Sequence, residues 1–354
     1  MALFDSNRLL QYAAILTVLG VVTYFGKQIQ HKISGEDPEA EYAMVKQYLL
    51  NDSVLFGNNK PKIWIHSKYE VNSRKWRDFG SRNTTDLNQP YMHLTIQSII
   101  HHCSQEFHIL LIDDDSFSKL LDDWTVDVAN MPEPQKTHWR QYGIAKLIWK
   151  YGGMTIPNSF VCLKSLKKYW LTGIESGKPF VSEMPNHTAR TWLKTRFIPD
   201  IHFMGCGKTK SEEMGEFLEF LHKRCMSMKH ASSVEGDFHG DVQNWLAIAH
   251  KREIFEVLPG ELVGVKTGLK REPILLEDWM GEKPVNLSVD CCGIYIPEDE
   301  ILKRPKYQWF AALNTLEILQ SNMILSMYIR KATMDSMSEY NDESSMKMSL
   351  MSGI

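Results

Sequence analysis

The sequence predicts an α/β domain, a mainly parallel sheet flanked by helices, carried behind one N-terminal transmembrane helix. Three observations predict it. From Pro61 onward, short apolar β-rich runs alternate with segments of helical period, the rhythm of a parallel sheet with helices on its faces. The run Leu9–Gly26 holds eighteen residues without a charge. A composition of 43% hydrophobic and 23% charged residues over 354 positions is that of a globular chain able to bury a core without staples.

The first element is LLQYAAILTVLGVVTYFG, just long enough to cross a bilayer as a helix, with Tyr12, Tyr24 and Phe25 near its interfaces. A buried core helix is the plain alternative, disfavoured by the polar run Gly26–Glu41 that isolates the segment. The leader carries Asp5 and Arg8 and no small-residue cleavage site, so the anchor is expected to be retained. Two signals disagree on orientation. Lys27, His31 and Lys32 after the span keep the body on the cytoplasmic or matrix side. Four N-x-[ST] sequons, at Asn51, Asn83, Asn186 and Asn286, favour a lumenal body, although about two would arise by chance. The charge rule receives slightly more weight. The membrane expected is that of an organelle (mitochondrial inner membrane or endomembrane and Golgi) or of a virion.

A net charge of −3 gives no bulk attraction for nucleic acid. Six scattered cysteines without a CxxC pair exclude a disulfide scaffold and a structural zinc site, and adjacent Cys291 and Cys292 read as small buried hydrophobes. The chain divides into a leader at 1–8, the span at 9–26, a stem at 27–60, a body at 61–330 and a mobile or partner-bound tail at 331–354.

Within the body, PKIWIHS at Pro61–Ser67 alternates as a first strand, and Tyr91–Cys103 places Leu94, Ile96, Ile99, Ile100 and Cys103 at helical spacing. FHILLI at Phe107–Ile112 reads as a buried strand, after which Ser116 caps a helix carrying Leu120 and Leu121. His138–Lys150 is a helix stopped by Tyr151-Gly152-Gly153, and Met154–Leu163 follows as a strand. Further strands are expected at Phe180–Met184 and Ile201–Met204. Further helices are expected at Ser211–Met228, His239–His250 and Trp309–Tyr328.

The stretch RQYGIAKLIWKYGGMTIPNSFVCLKSL, Arg140–Leu166, resembles the central segment of the A-type-fold glycosyltransferases, nearest the α-1,6-mannosyltransferase-like enzymes and capsular polysaccharide synthesis proteins, including uncharacterised relatives encoded by large DNA viruses. PKIWIH resembles their opening strand and LIDDDS, from Leu111, their second. The resemblance implies a Rossmann-like glycosyltransferase A-type fold. In these families a helix bearing S-D-x-x-R runs into L-Y-x-Y-G-G and then a strand bearing D-x-D, whose carboxylates hold a divalent cation against the leaving diphosphate.

Counted from Tyr151-Gly152-Gly153, the helix aspartate falls at Gln141, the arginine at Ile144 and the two D-x-D carboxylates at Pro157 and Ser159. None of these replacements supplies the carboxylate or guanidinium it displaces. The apolar frame Leu147, Ile148, Tyr151 and Met154 survives. Pro157 removes a backbone donor, which predicts an edge or bulged strand there. Arg140, Tyr142, Lys146, Tyr151, Gly152, Gly153 and Ser159 are the vestigial substrate-binding candidates. Arg140 and Lys146 would hold a phosphate without metal, and the plain alternative is a solvated helix face with Tyr142 in the core. Asp113-Asp114-Asp115 reads as a capping turn rather than a metal site, and Gly236–Asp241 as a loop before a helix. His101 and His102 are read as structural, and Trp139, Trp149, Tyr169 and Trp170 as core.

No catalytic residue, metal or cofactor is expected. The reading is a membrane-anchored, non-catalytic glycosyltransferase-like subunit whose partners are the bilayer and other proteins of a membrane-associated complex. The alternative is a metal-independent glycosyltransferase using a nucleotide sugar, with an acid from Asp113–Asp115 or Asp237–Asp241 as base. A module that binds sugar or nucleotide without turnover is the third reading.

Overall fold

A computed structural model of the chain describes residues 60–66, 89–128, 130–185, 198–227 and 235–333, with the backbone alone at 235–237. The expected leader, span and stem up to residue 59, the tail from 334, and the sequons at Asn51, Asn83 and Asn186 lie outside the described residues. No helix among the described residues is long and apolar enough to cross a membrane.

KIWIH forms β1 (Lys62–His66), buried from Ile63 onward, as a strand covered on both faces must be. Helix α1 (Tyr91–Cys103) has the bounds its apolar spacing predicts and leads to β2 (His108–Ile112), parallel to β1 with Trp64 opposite Leu110. A short α2 (Ser116–Leu120) follows. Ser116 does not cap it. Asp115 is its N-cap residue and makes no side-chain cap, while in the turn before it Asp113 Oδ1 accepts from the Ser116 N–H at 2.9 Å and from its hydroxyl at 2.6 Å.

Helix α3 (Gln135–Tyr151) ends at Gly152 with φ +70°, and β3 (Gly153–Thr155) opens with Gly153 at φ +96°. Both glycines occupy the positive-φ region that side chains avoid. At Gly153 the need is also steric, since a Cβ there would collide with the Lys62 carbonyl of β1. Strand β3 pairs parallel to β1 and antiparallel to β6 (Pro199–Cys206).

The expected single strand Met154–Leu163 is two strands in two sheets. The chain leaves the main sheet after Thr155, and β4 (Phe160–Cys162) pairs instead with β8 (Gly293–Tyr295). Pro157 lies in the connection, so no ladder bond is asked of it, and β3 sits centrally rather than at an edge.

Helix α4 (Lys167–Ile174) leads into β5 (Phe180–Glu183), β6 (Pro199–Cys206), α5 (Glu212–Ser227), α6 (Glu235–Lys251) and β7 (Glu256–Val257). The GDFHGD segment, expected as a loop, is already helical in α6. The remainder holds α7 (Leu276–Trp279), β8 (Gly293–Tyr295), α8 (Glu298–Lys303), α9 (Gln308–Ala311) and α10 (Thr315–Gln320).

The helix expected over Trp309–Tyr328 is broken. Asn314 starts a new helix with a capping box to Glu317, Ser321 is extended, and a last helix runs over 324–333 with Ala332 and Thr333 buried. Ordered structure therefore continues past Arg330.

The six-stranded sheet has the order β2-β1-β3-β6-β5-β7 and is mixed, because β6 runs antiparallel to both its neighbours while the other pairings are parallel. Trp64, Leu110, Ile112, Val181 and Met204 on one face share a core with α3, α5 and α6. A second core joins α1 to β4, β8 and the C-terminal helices. All six cysteines are buried, as small hydrophobes would be, with Cys103 and Cys162 sulfurs 3.8 Å apart. Trp139, Tyr169 and Trp170 lie in the core as expected, and Trp149 is partly buried against it.

Candidate functional site

Topology gathers the polar residues at one edge of the sheet. Strands β2, β1 and β3 are parallel and end together at Ile112, His66 and Thr155, the edge where open α/β sheets bind ligands. Because β6 is antiparallel to β3, with Thr155 opposite Met204, its beginning at Pro199–His202 reaches the same edge. A cleft with a volume of about 160 Å³ opens there, walled by α3, the β3–β4 connection, the start of β6 and the start of α8.

Two polar assemblies flank it. In the first, Arg140 of α3 donates from Nε to Asp114 Oδ1 and from Nη2 to Asp114 Oδ2, both at 2.7 Å. His66 Nε2 lies 3.1 Å from the same Oδ1, and its ring stacks on Phe117. Burial alone would raise the Asp114 carboxyl, but the hydrogen bonds from Arg140 and His66 more than offset it and hold the group well below the usual range. Asp114 is therefore an ionised partner of Arg140, not a metal ligand in waiting. Of the Asp113–Asp115 turn, Asp113 ties its carboxylate to Ser116 at the start of α2.

The second assembly was not read from the sequence. Asp200, at 4% exposure, accepts from Tyr295 OH at 2.7 Å and holds His202 Nδ1 at 2.7 Å. His202 Nε2 in turn meets Gln141 Nε2 at 2.8 Å. Burial pushes the Asp200 carboxyl up, yet His202 and Tyr295 bring it below its ordinary value. A carboxylate only accepts, so His202 Nδ1 donates to it. In the neutral imidazole Nε2 then accepts, from the amide NH2 of Gln141. The signal available was D-x-H inside an apolar strand, PDIHFMG, where alternation puts Asp200 and His202 on one side of β6.

The four positions that the resemblance marks converge on this place. Gln141, Ile144 and Pro157 line the cleft, while Ser159 is fully buried beside it with no partner for its hydroxyl. The other candidates separate. Lys146 points elsewhere, pairing with Asp123 at 2.7 Å, because six residues along a helix turn it well away from Arg140. Tyr142 packs among Trp124, Trp139 and His222. Tyr151 donates to the Leu120 carbonyl at 2.6 Å, Trp64 Nε1 donates to the Gly152 carbonyl at 3.0 Å, and Gly153 presses on β1, so this trio shapes a turn and does not wall the cleft. Asp241 is ion-paired with Arg224. His101 and His102 contact each other edge to face at the end of α1. No group of three metal-ligating side chains occurs among the described residues.

No protein-family model matches the sequence, and no curated protein matches it. Two crystal structures of the glycosyltransferase GlyE from Streptococcus pneumoniae TIGR4 are similar in structure. One aligns at 11% identity with a TM-score of 0.38, the alignment covering 79% of this chain and 64% of that one. The apo form aligns at 12% identity with a TM-score of 0.37 over the same shares. This chain thus spans about 64% of the length of the structures it matches.

Proposed function

We propose that this chain is a glycosyltransferase-like protein without metal-dependent sugar transfer, serving as a binding or structural subunit. On this reading it is tethered by residues 9–26 to an organelle or virion membrane, with its body on the cytoplasmic or matrix side, inside a membrane-associated complex. One observation carries it. The cleft persists at the sheet edge, while the positions that the glycosyltransferase resemblance assigns to its charged groups are Gln141, Ile144, Pro157 and buried Ser159. A divalent cation asks for several oxygen ligands, with carboxylates foremost, and none of these residues offers a carboxylate.

The test uses the full-length protein with UDP-, GDP- and CMP-sugars and manganese, following release of the nucleotide. No release above the protein-free control is expected. Metal-dependent release from any donor overturns the reading.

A second reading, transfer without metal, is favoured by the Asp200–His202 pair. A histidine oriented by a buried carboxylate at the cleft has the form of a general base. Nucleotide release that persists in EDTA and is lost in His202→Ala, with the melting temperature retained, would select it.

A further inference from the structure

Among the described residues, the two most exposed large aliphatic side chains stand on neighbouring loops, Val289 at 88% and Leu269 at 86% exposure. A bridge between Lys266 and Pro273 closes the hairpin that carries Leu269. That hairpin is seated on the loop 286–290. The Gly268 N–H donates to the Asn286 carbonyl at 3.1 Å, and a Cβ on Gly268 would collide with the Ser288 Cα. Helix α4 continues the face. Its Lys168 pairs with Asp290, next to Val289, at 2.6 Å, and exposed Leu171 lies one turn further along. A single exposed aliphatic needs no explanation, but three gathered on one face do.

Lysines frame these side chains. Lys164 donates to the Val289 carbonyl at 2.8 Å, exposed Lys270 follows Leu269, and Lys167 and Lys168 open α4. Glu106 is matched by Lys167 at 3.1 Å, Asp290 by Lys168, and Glu261 by Arg271 at 2.7 Å. Lys164 and Lys270 have no carboxylate partner among the described residues. Aliphatic tips ringed by uncommitted lysines suit a bilayer whose headgroups include anionic lipid.

The chain leading from the expected span arrives at the same side. Lys60, the first residue of the described body, donates to the Ser104 carbonyl at the end of α1. Two residues later Glu106 accepts from the Ser165 hydroxyl and meets Lys167, at the start of α4.

We propose that this face rests on an anionic bilayer surface, with Leu269 and Val289 entering the headgroup boundary and Lys164 and Lys270 meeting lipid phosphates. The inference rests on the reading that residues 9–26 cross the membrane, and it adds which face of the body the lipid meets.

The experiment takes the full chain at one copy per nanodisc of phosphatidylcholine and phosphatidylserine. A membrane-impermeant acetylating reagent labels lysines, and peptide mass spectrometry reads each rate. The comparison is the double variant Leu269→Glu/Val289→Glu, changed at sites too exposed to matter to the core. Lys164, Lys168 and Lys270 are expected to label about threefold more slowly in the wild-type chain than in the variant. Lys223 and Lys251, exposed on α5 and α6, should label alike in both. The added carboxylates by themselves slow lysine labelling, so a faster rate in the variant reports lost contact. Equal rates in discs that hold the chain overturn the docking alone. A chain that does not co-elute with the discs overturns the docking and the membrane span together. Shielding that needs two or more copies per disc marks a contact between chains and overturns the inference. So does a glycan on Asn286, which would stand between this face and the lipid.

Discussion

Arg140 and Asp114, far apart in the chain, form a two-pronged ion pair at the carboxyl end of the parallel strands, with both contacts at 2.7 Å. The residue best placed to greet a phosphate is thereby neutralised from within. Asp114→Asn should expose the consequence in stability, since it removes the close counter-ion of a mostly buried guanidinium and leaves Glu133, 3.7 Å from Nη1, as the acid beside it. A loss of about 2–3 kcal/mol at pH 7 is expected by urea denaturation. Because the Asp114 carboxyl is held below its unfolded value, its contribution is present above about pH 4 and fades as the pH falls further. The gap between wild type and variant should therefore shrink in acid. A gap that is constant down to pH 2 would contradict the assignment.

The two glycines after α3 should respond differently to alanine. Gly152 has a positive φ, but a Cβ there meets nothing nearer than 3.5 Å, so Gly152→Ala carries only backbone strain of about 1–2 kcal/mol. Gly153 adds a collision with the Lys62 carbonyl inside the sheet, and Gly153→Ala is expected to cost at least about 3 kcal/mol. Chemical denaturation of both variants decides it, and equal losses would refute the steric argument.

His138 is stacked on Phe238 with ring centroids 3.8 Å apart, and neither ring nitrogen has a hydrogen-bond partner. Burial, reinforced by the nearby His239, pushes it down to about 4. The unfolded chain then binds a proton that the folded one refuses. Stability is complete above about pH 6.5 and declines as the pH falls toward 4. Between pH 7 and 5 the loss from this group is about 2 kcal/mol. His138→Phe should remove that part of the pH dependence, measured as the difference between urea midpoints at the two pH values.

Residues 9–26 should anchor the protein to a membrane. The full chain is expected to sediment with membranes and resist alkaline carbonate, and a variant lacking residues 1–34 to remain in the supernatant. Asn286 is exposed, and with the body on the cytoplasmic or matrix side it should carry no glycan. A mass decrease on treatment with an N-glycosidase, absent in Asn286→Gln, would reverse the orientation.

Local pattern was enough for β1, α1, β2, α3, α5 and α6, whose positions follow from short apolar runs and helical spacing read over a few residues. It failed where a neighbour decided. Met154–Leu163 reads as one strand until β8 claims its second half, and Trp309–Tyr328 reads as one helix until the Asn314 cap restarts it. Gln141, Ile144 and Pro157 could be singled out because the YGG turn supplied a ruler along the chain.

What the sequence determined by itself was the alternation of strands and helices, the uncharged front segment and the absence of carboxylates at the marked positions, all of them properties of residue type and spacing. Only the tertiary structure decided what the cleft contains. The antiparallel course of β6 brings Asp200 and His202 to the ends of the parallel strands, β8 delivers Tyr295, and folding closes Arg140 onto Asp114. Each of those contacts joins residues far apart in the chain, and no local periodicity encodes which distant charge a buried charge will meet.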